Sequence, residues 1–186
     1  MDRRKALKQI GLLSGSVVLL SACDVSKENV SRVMNKLRIT DAQEALMEKL
    51  IDTIIPETDI PGALSLKVAD FVWVMADDCL NEDLQGSFLS GLEQFKSRFK
   101  AVIGSDFDEA GQPERVRGMS SILKDNPASE PNDDVVAFIE ITKAFSILGF
   151  TKSEYFMTEV MPYTLIPGKN PQCKTIDPNQ KINANA

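Results

Sequence analysis

Two prolines five residues apart do most to limit what this chain can become. They stand in Asp52-Thr53-Ile54-Ile55-Pro56-Glu57-Thr58-Asp59-Ile60-Pro61-Gly62-Ala63, between an amphipathic segment and a more apolar one. Pro56 has no N–H to continue a helix and biases Ile55 away from helical angles. Thr58 and Asp59 can accept bonds from the free amides of a following helix, and Pro61 suits a first helical turn. The stretch predicts a tight corner between two helices.

Helical periodicity governs the chain on both sides of that corner. Thr40 and Gln43 make a capping box that opens a helix with an apolar stripe at Leu46, Leu50 and Ile54. A second helix is expected from about Ala63 to Leu80, with Val68, Val72, Met75 and Cys79 on one face. Trp73 and Val74 fall off that face, so this helix is buried between neighbours or covered by a partner. Trp73 reads first as core. As a pair, Trp73 and Val74 are the candidate partner contact. Asn81 caps a third helix whose stripe is Leu84, Phe88, Leu92, Phe95, Phe99 and Val102, read as core and closed by Gly104. A fourth spans Pro113 to Lys124 with Val116, Met119 and Leu123 inward. A fifth starts at Asp133-Asp134 and runs to Leu148, with Gly149 as its C-cap. Thr151 and Glu154 form a capping box for a short last helix to about Met161.

The expected fold is therefore all-α: a single-domain, irregular bundle of five to six helices over 40–161. Residues 23–39 read as a polar tether, with at most a helical turn around Val30, Val33 and Leu37. Residues 162–186 hold Pro162, Pro167, Pro171 and Pro178 and read as an extended tail.

Residues 1–22 read as an address. Arg3, Arg4, Leu7 and Lys8 match the twin-arginine export motif, with Asp2 and Ala6 in place of its usual Ser and Phe. The apolar stretch that follows, Ile10–Ala22, spans about 13 residues against about 20 for a membrane-crossing helix. Leu20-Ser21-Ala22-Cys23 matches the bacterial lipobox, which makes Cys23 the lipidation site. A plain secretory signal or an uncleaved anchor is the alternative. Four basic residues stand against Asp2 in this segment, so the net charge of −6 becomes −9 once it is removed. Such a surface repels nucleic acid and anionic lipid.

The chain has no histidine. That excludes His-based triads, His-ligated haem and the common zinc sites. It also has no Gly-x-Gly-x-x-Gly and no Cys-x-x-Cys-His, so neither a dinucleotide fingerprint nor covalent haem is indicated. Asp106–Gly111 resembles a calcium loop only faintly, because Arg117 stands where a bidentate Glu is needed; it reads as a solvated acidic loop. Asp77, Asp78, Glu82 and Asp83 likewise read as a solvated cluster at a helix junction. No catalytic, cofactor-binding or metal-ligating residue is proposed.

The corner also resembles, almost residue for residue, the signature of the gluconate 2-dehydrogenase subunit 3 family. The resemblance extends more loosely through Phe71, Asp78-Cys79, Leu148-Gly149-Phe150, Ser153-Glu154 and Ile166-Pro167-Gly168. It implies a small subunit that associates with a large flavoprotein of the glucose–methanol–choline type and, in three-part complexes, with a cytochrome c. FAD would then sit on the partner and haem c on the third subunit, with no cofactor in this chain. Twin-arginine export carries folded proteins, so a chain without a visible cofactor site suits an escort for a signal-less partner. The expected location is the periplasmic side of a bacterial membrane, held by the lipid on Cys23. Cys79 and Cys173 are the remaining thiols. They either pair in an oxidising envelope or stay as two buried free thiols, and the resemblance favours the bond. Its long loop would give about 4–5 kcal/mol on chain entropy. Two rival functions are a free-standing ligand-binding periplasmic lipoprotein and an enzyme with an unrecognised site.

Overall fold

A computed structural model describes residues 30–124 and 133–161. The chain forms an all-α bundle edged by one small hairpin. In order these are β1 (Val30–Val33), β2 (Arg38–Thr40), α1 (Asp41–Ile54), α2 (Val68–Asp78), α3 (Glu82–Ile103), α4 (Gln112–Lys124), α5 (Asp134–Thr151) and a π-helical turn (Phe156–Val160). The helix starts are set by local chemistry. Thr40 and Gln43 close the expected capping box on α1, Asn81 caps α3, and the Asp133 carboxylate accepts from the amides of Val135 and Val136 to open α5. Gly104, at φ 90°, ends α3 in the left-handed region where a Cβ would be strained.

The core is a ladder of rings. Trp73 meets Phe88, Phe88 meets Phe138, Phe138 meets Phe95, and Phe95 and Phe99 both meet Phe107, at centroid distances of 4.9–6.0 Å and edge-to-face. The ladder joins α2, α3, α5 and the loop after α3. Helices α3 and α5 come into close contact at Gly91, where a Cβ would lie 2.0 Å from the Asp134 carbonyl oxygen and 2.6 Å from Phe138 Cβ. Ser90 Oγ donates to Asp134 Oδ2 at 2.6 Å beside it. This bond and one from Ser87 hold the Asp134 carboxyl below its ordinary range. Gly91→Ala should force the two helices apart and cost about 3 kcal/mol, the upper part of the overpacking range. Chemical denaturation of the mature domain checks this; an unchanged midpoint would mean that the helices can separate freely.

Several expectations are corrected. Residues 30–40, expected as tether with a helical turn, form an antiparallel hairpin that buries Leu37 and Ile39. The reason lies in Asp77, also misread: it is 1% exposed rather than solvated. Its Oδ1 accepts from the amides of Lys36 and Leu37 at 2.8 Å each, and its Oδ2 from that of Asn35 at 3.0 Å. Three successive N–H groups converging on one carboxylate make an anion nest that pins the turn to the end of α2. Burial pushes the Asp77 carboxyl up, but these three bonds outweigh it and hold the group below its usual range.

Helix α2 begins at Val68 rather than Ala63, because 63–67 are turned and Lys67 is left-handed at φ 56°. Leu84 and Val102, placed on the core stripe of α3, are exposed at its two ends, and Val116 of α4 is exposed too. Helix α5 continues past Gly149 to Thr151. Gly149 is a packing site rather than a cap: a Cβ there would lie 2.7 Å from the Phe71 ring. Ser153, not Thr151, accepts from an amide of the last helical turn, that of Phe156. Thr151 Oγ1 donates back to Ile147 O instead.

The acidic loop after α3 is solvent-exposed at Asp108 and Glu109, as expected, but it is also tied to the bundle. Asp108 pairs with Lys49 of α1 and Lys96 of α3, at 2.8 and 2.6 Å, and these bonds lower its carboxyl. Phe107 beneath it is buried, with Arg115 stacked 5.2 Å from its ring. The loop is a junction between three helices. Among the described residues no group of three or more acids or cysteines is arranged to hold a metal ion. None of the described helices is long and apolar enough to cross a membrane.

Candidate interaction surface at the helix corner

The corner closes on itself. Ile55 N–H completes α1 by donating to Ile51 O, and Ala63 N–H donates to Ile55 O at 3.0 Å, which shuts a compact loop. Gly62 lies under Glu57: a Cβ would be 2.6 Å from the Glu57 nitrogen and 3.0 Å from its Cα. Any side chain at 62 would open the loop, a physical reason for Pro-Gly-Ala at this point. Thr58 and Asp59 do not cap α2; Thr58 N–H donates within the loop to Ile60 O. The Gln112 amide of α4 donates to the carbonyls of Asp52 and Thr53, covering the open end of α1. Ala63 is fully buried, whereas residues 56–60 are exposed.

Tertiary packing brings distant pieces of the sequence to this corner. Phe71 and Val68 of α2 pack on Gly149 of α5, and Phe150 stacks on Phe156 at 5.7 Å. Between Ser65–Lys67 on one side and Ser153, Glu154, Tyr155 and Thr158 on the other is an open cleft of about 460 Å³. The elements around it leave Ile60, Leu64, Ile147, Leu148, Val160 and Met161 exposed. Six large apolar side chains on adjoining elements of one small domain suit a protein contact. A second, apolar cleft of about 260 Å³ lies between α1, α4 and α5, with Ile54, Val116, Met119 and Leu123 in its walls and Lys143 at its edge.

The individual candidates separate. Trp73 is 0% exposed and stacked on Phe88, so it offers nothing to a partner; that half of the expected contact is withdrawn. Val74 beside it is 43% exposed. Among the described residues the one cysteine, Cys79, is a free and exposed thiol near Met75 Sδ. Cys173, named as its partner, lies outside the described residues, as do Arg3, Arg4, Leu7, Lys8 and Cys23. The buried Asp77 and the hairpin it holds were missed. An anion nest has no sequence signature, because its amides and its carboxylate are about 40 residues apart.

No curated protein and no solved structure matches the chain. The family model described as Gluconate 2-dehydrogenase subunit 3 matches residues 41–168, from the first residue of α1 through the corner and α5 into the tail. That span is more than half of the chain, and it takes in every piece gathered around the corner cleft: this chain belongs to the gluconate 2-dehydrogenase subunit 3 family.

Proposed function

We propose that this chain is the non-catalytic small subunit of a flavin-dependent sugar or sugar-acid dehydrogenase complex, which it escorts through the twin-arginine route, anchors and stabilises. Its partner is a large flavoprotein of the glucose–methanol–choline type carrying FAD, joined in the three-part form by a cytochrome c. The complex is held on the periplasmic side of the membrane by lipid on Cys23. The observation that carries the reading is the corner: the family-matched pieces converge there on a cleft, and the elements that form it expose large apolar side chains. The ligand-binding alternative finds some support in the apolar cleft between α1, α4 and α5. At about 260 Å³ that cleft falls below the usual range for small-molecule sites, about 300–1,000 Å³, whereas the corner cleft, at about 460 Å³, falls within it.

The test has two arms. Affinity purification of the mature chain from its native envelope should bring down a yellow subunit with flavin absorbance. Leu64→Asp and Leu148→Asp should abolish that recovery while the subunit itself stays folded. Replacing Arg3 and Arg4 by Lys should retain both proteins in the cytoplasm, with flavin bound and no dehydrogenase activity in the envelope. A flavoprotein that reaches the periplasm normally in that variant ends the escort role. Recovery of the wild-type chain without any flavoprotein ends the subunit role.

A further inference from the structure

The hairpin lies outside the family match and is fastened to the body at both ends. At the turn, Asp77 holds the amides of residues 35–37 and Asn35 Nδ2 donates to Asp78 Oδ1. Along β1, Arg32 bridges Glu44 of α1, at 3.0 Å, and Asp70 of α2. Strand alternation then sorts the side chains. Arg32 and Ile39 are paired and face the body, where Ile39 is fully buried. Val33 and Arg38 are paired and face outward, and Val33 is 71% exposed, the largest value for any large apolar residue described. Lys36 and Arg38 are exposed cations, and Arg38 has no ion pair among the described residues. Val74 lies one helical turn from both Asp70 and Asp78, two of the three carboxylates of α2 that the hairpin engages, so it borders the same side.

Six residues, 24–29, separate Cys23 from Val30. Whatever their path, covalent geometry limits that span to about 25 Å. A body of this size is about 35 Å across. A lipid on Cys23 therefore cannot let the domain turn its far side to the bilayer, as a long tether would. We propose that the hairpin is a stand-off that sets the domain's orientation, laying Val33, Lys36 and Arg38, with the adjoining Val74, against the lipid surface. The occupant of this face is the bilayer that holds the lipid on Cys23: the short span from Cys23 to Val30 keeps the hairpin beside it, and the outward Lys36 and Arg38 can reach headgroup phosphates with Val33 between them and the body's own carboxylates bonded inward to Arg32 and Asn35. Val74 is thereby assigned to the membrane rather than to a protein partner. The inference rests on lipidation of Cys23, which is part of the function proposed above.

The test uses the lipidated full-length product in a Cys79→Ser, Cys173→Ser background. Val33→Cys, Val74→Cys, Val102→Cys and Val116→Cys each carry an environment-sensitive fluorophore. The protein is reconstituted into vesicles of phosphatidylethanolamine and phosphatidylglycerol, with and without a lipid-borne quencher at headgroup depth. Labels at 33 and 74 should lose most of their fluorescence, and labels at 102 and 116 should keep theirs. Mass analysis of the same samples reports the lipid on Cys23. A lipidated protein whose label at 33 is quenched no more than that at 102 overturns the orientation alone. A product with no lipid on Cys23 overturns the anchor and the orientation together. Equal quenching at all four positions means the domain tumbles against the surface, and also overturns the proposal.

Discussion

Trp73→Ala should cost the isolated mature domain about 3–5 kcal/mol, the range for truncating a large buried aromatic residue. The residue is fully buried and begins the ring ladder that continues through Phe88, Phe138 and Phe95 to Phe107. Truncation leaves a cavity at the junction of α2 with α3 and cuts the first rung. Trp73→Phe should cost much less. It keeps a ring against Phe88, and it removes an indole N–H that is buried without a hydrogen-bond partner. Val74→Asp is the control: on an exposed position it should stay within about 0.5 kcal/mol of wild type. Urea unfolding of the three variants decides the matter. A Trp73→Ala domain as stable as wild type, but defective in assembly, would return this residue to the interface.

The second large effect belongs to Asp77. Asp77→Ala strips the acceptor from three backbone amides at once. Leu37 N–H is left in the interior, while those of Asn35 and Lys36 are nearer to water. Losing charge-assisted bonds and stranding one buried donor should cost about 3 kcal/mol. The loss should appear first as faster amide exchange across Arg38–Thr40, because the hairpin depends on that turn. The pH dependence has a definite sign. The Asp77 carboxyl is depressed in the folded chain, so its contribution is complete above the unfolded value of about 3.9 and fades as pH falls through the lower folded value. Asp77→Asn has no such proton to gain. The stability gap between wild type and Asp77→Asn should be constant around neutral pH and close in acid. Asp108 and Asp134 are depressed as well and contribute acid lability of their own, which is common to both proteins and cancels in the difference. A gap independent of pH down to the acid transition would show that the carboxylate charge is not what holds the turn.

The hairpin also changes how anchoring is to be understood. A flexible tether would let a lipidated domain sample every orientation. A turn fixed by Asp77 and a strand fixed by Arg32 make residues 30–40 part of the folded body. Under the proposed lipid anchor, the corner cleft would then be presented to a partner from a restricted direction. That suits assembly on a membrane, where reducing orientational freedom beforehand lowers the entropic cost of association.

The sequence by itself determined what depends on neighbours a few residues away. The caps at Thr40, Asn81, Asp133 and Gly104 are local exchanges of hydrogen bonds, and the stripe Phe88, Leu92, Phe95, Phe99 follows the helical repeat, so α1, α3, α4 and α5 were legible. So was the end of α1, because Pro56 acts on its own backbone and on the residue before it; Pro61, expected in the first turn of α2, instead lies in the loop before it. Only the tertiary structure decided which stripe members find a neighbour. Leu84 and Val102 keep the period of α3 but overhang its ends, while Trp73, off the main face of α2, is enclosed because α2 packs on more than one side. The hairpin required pairing across a turn and a carboxylate about 40 residues away, and short strands carry too little periodicity to announce themselves. Gly149 and Phe71 likewise became neighbours only when α2 and α5 came together. Local propensity chose the elements; the contacts between them, made by residues far apart in the chain, chose the surface.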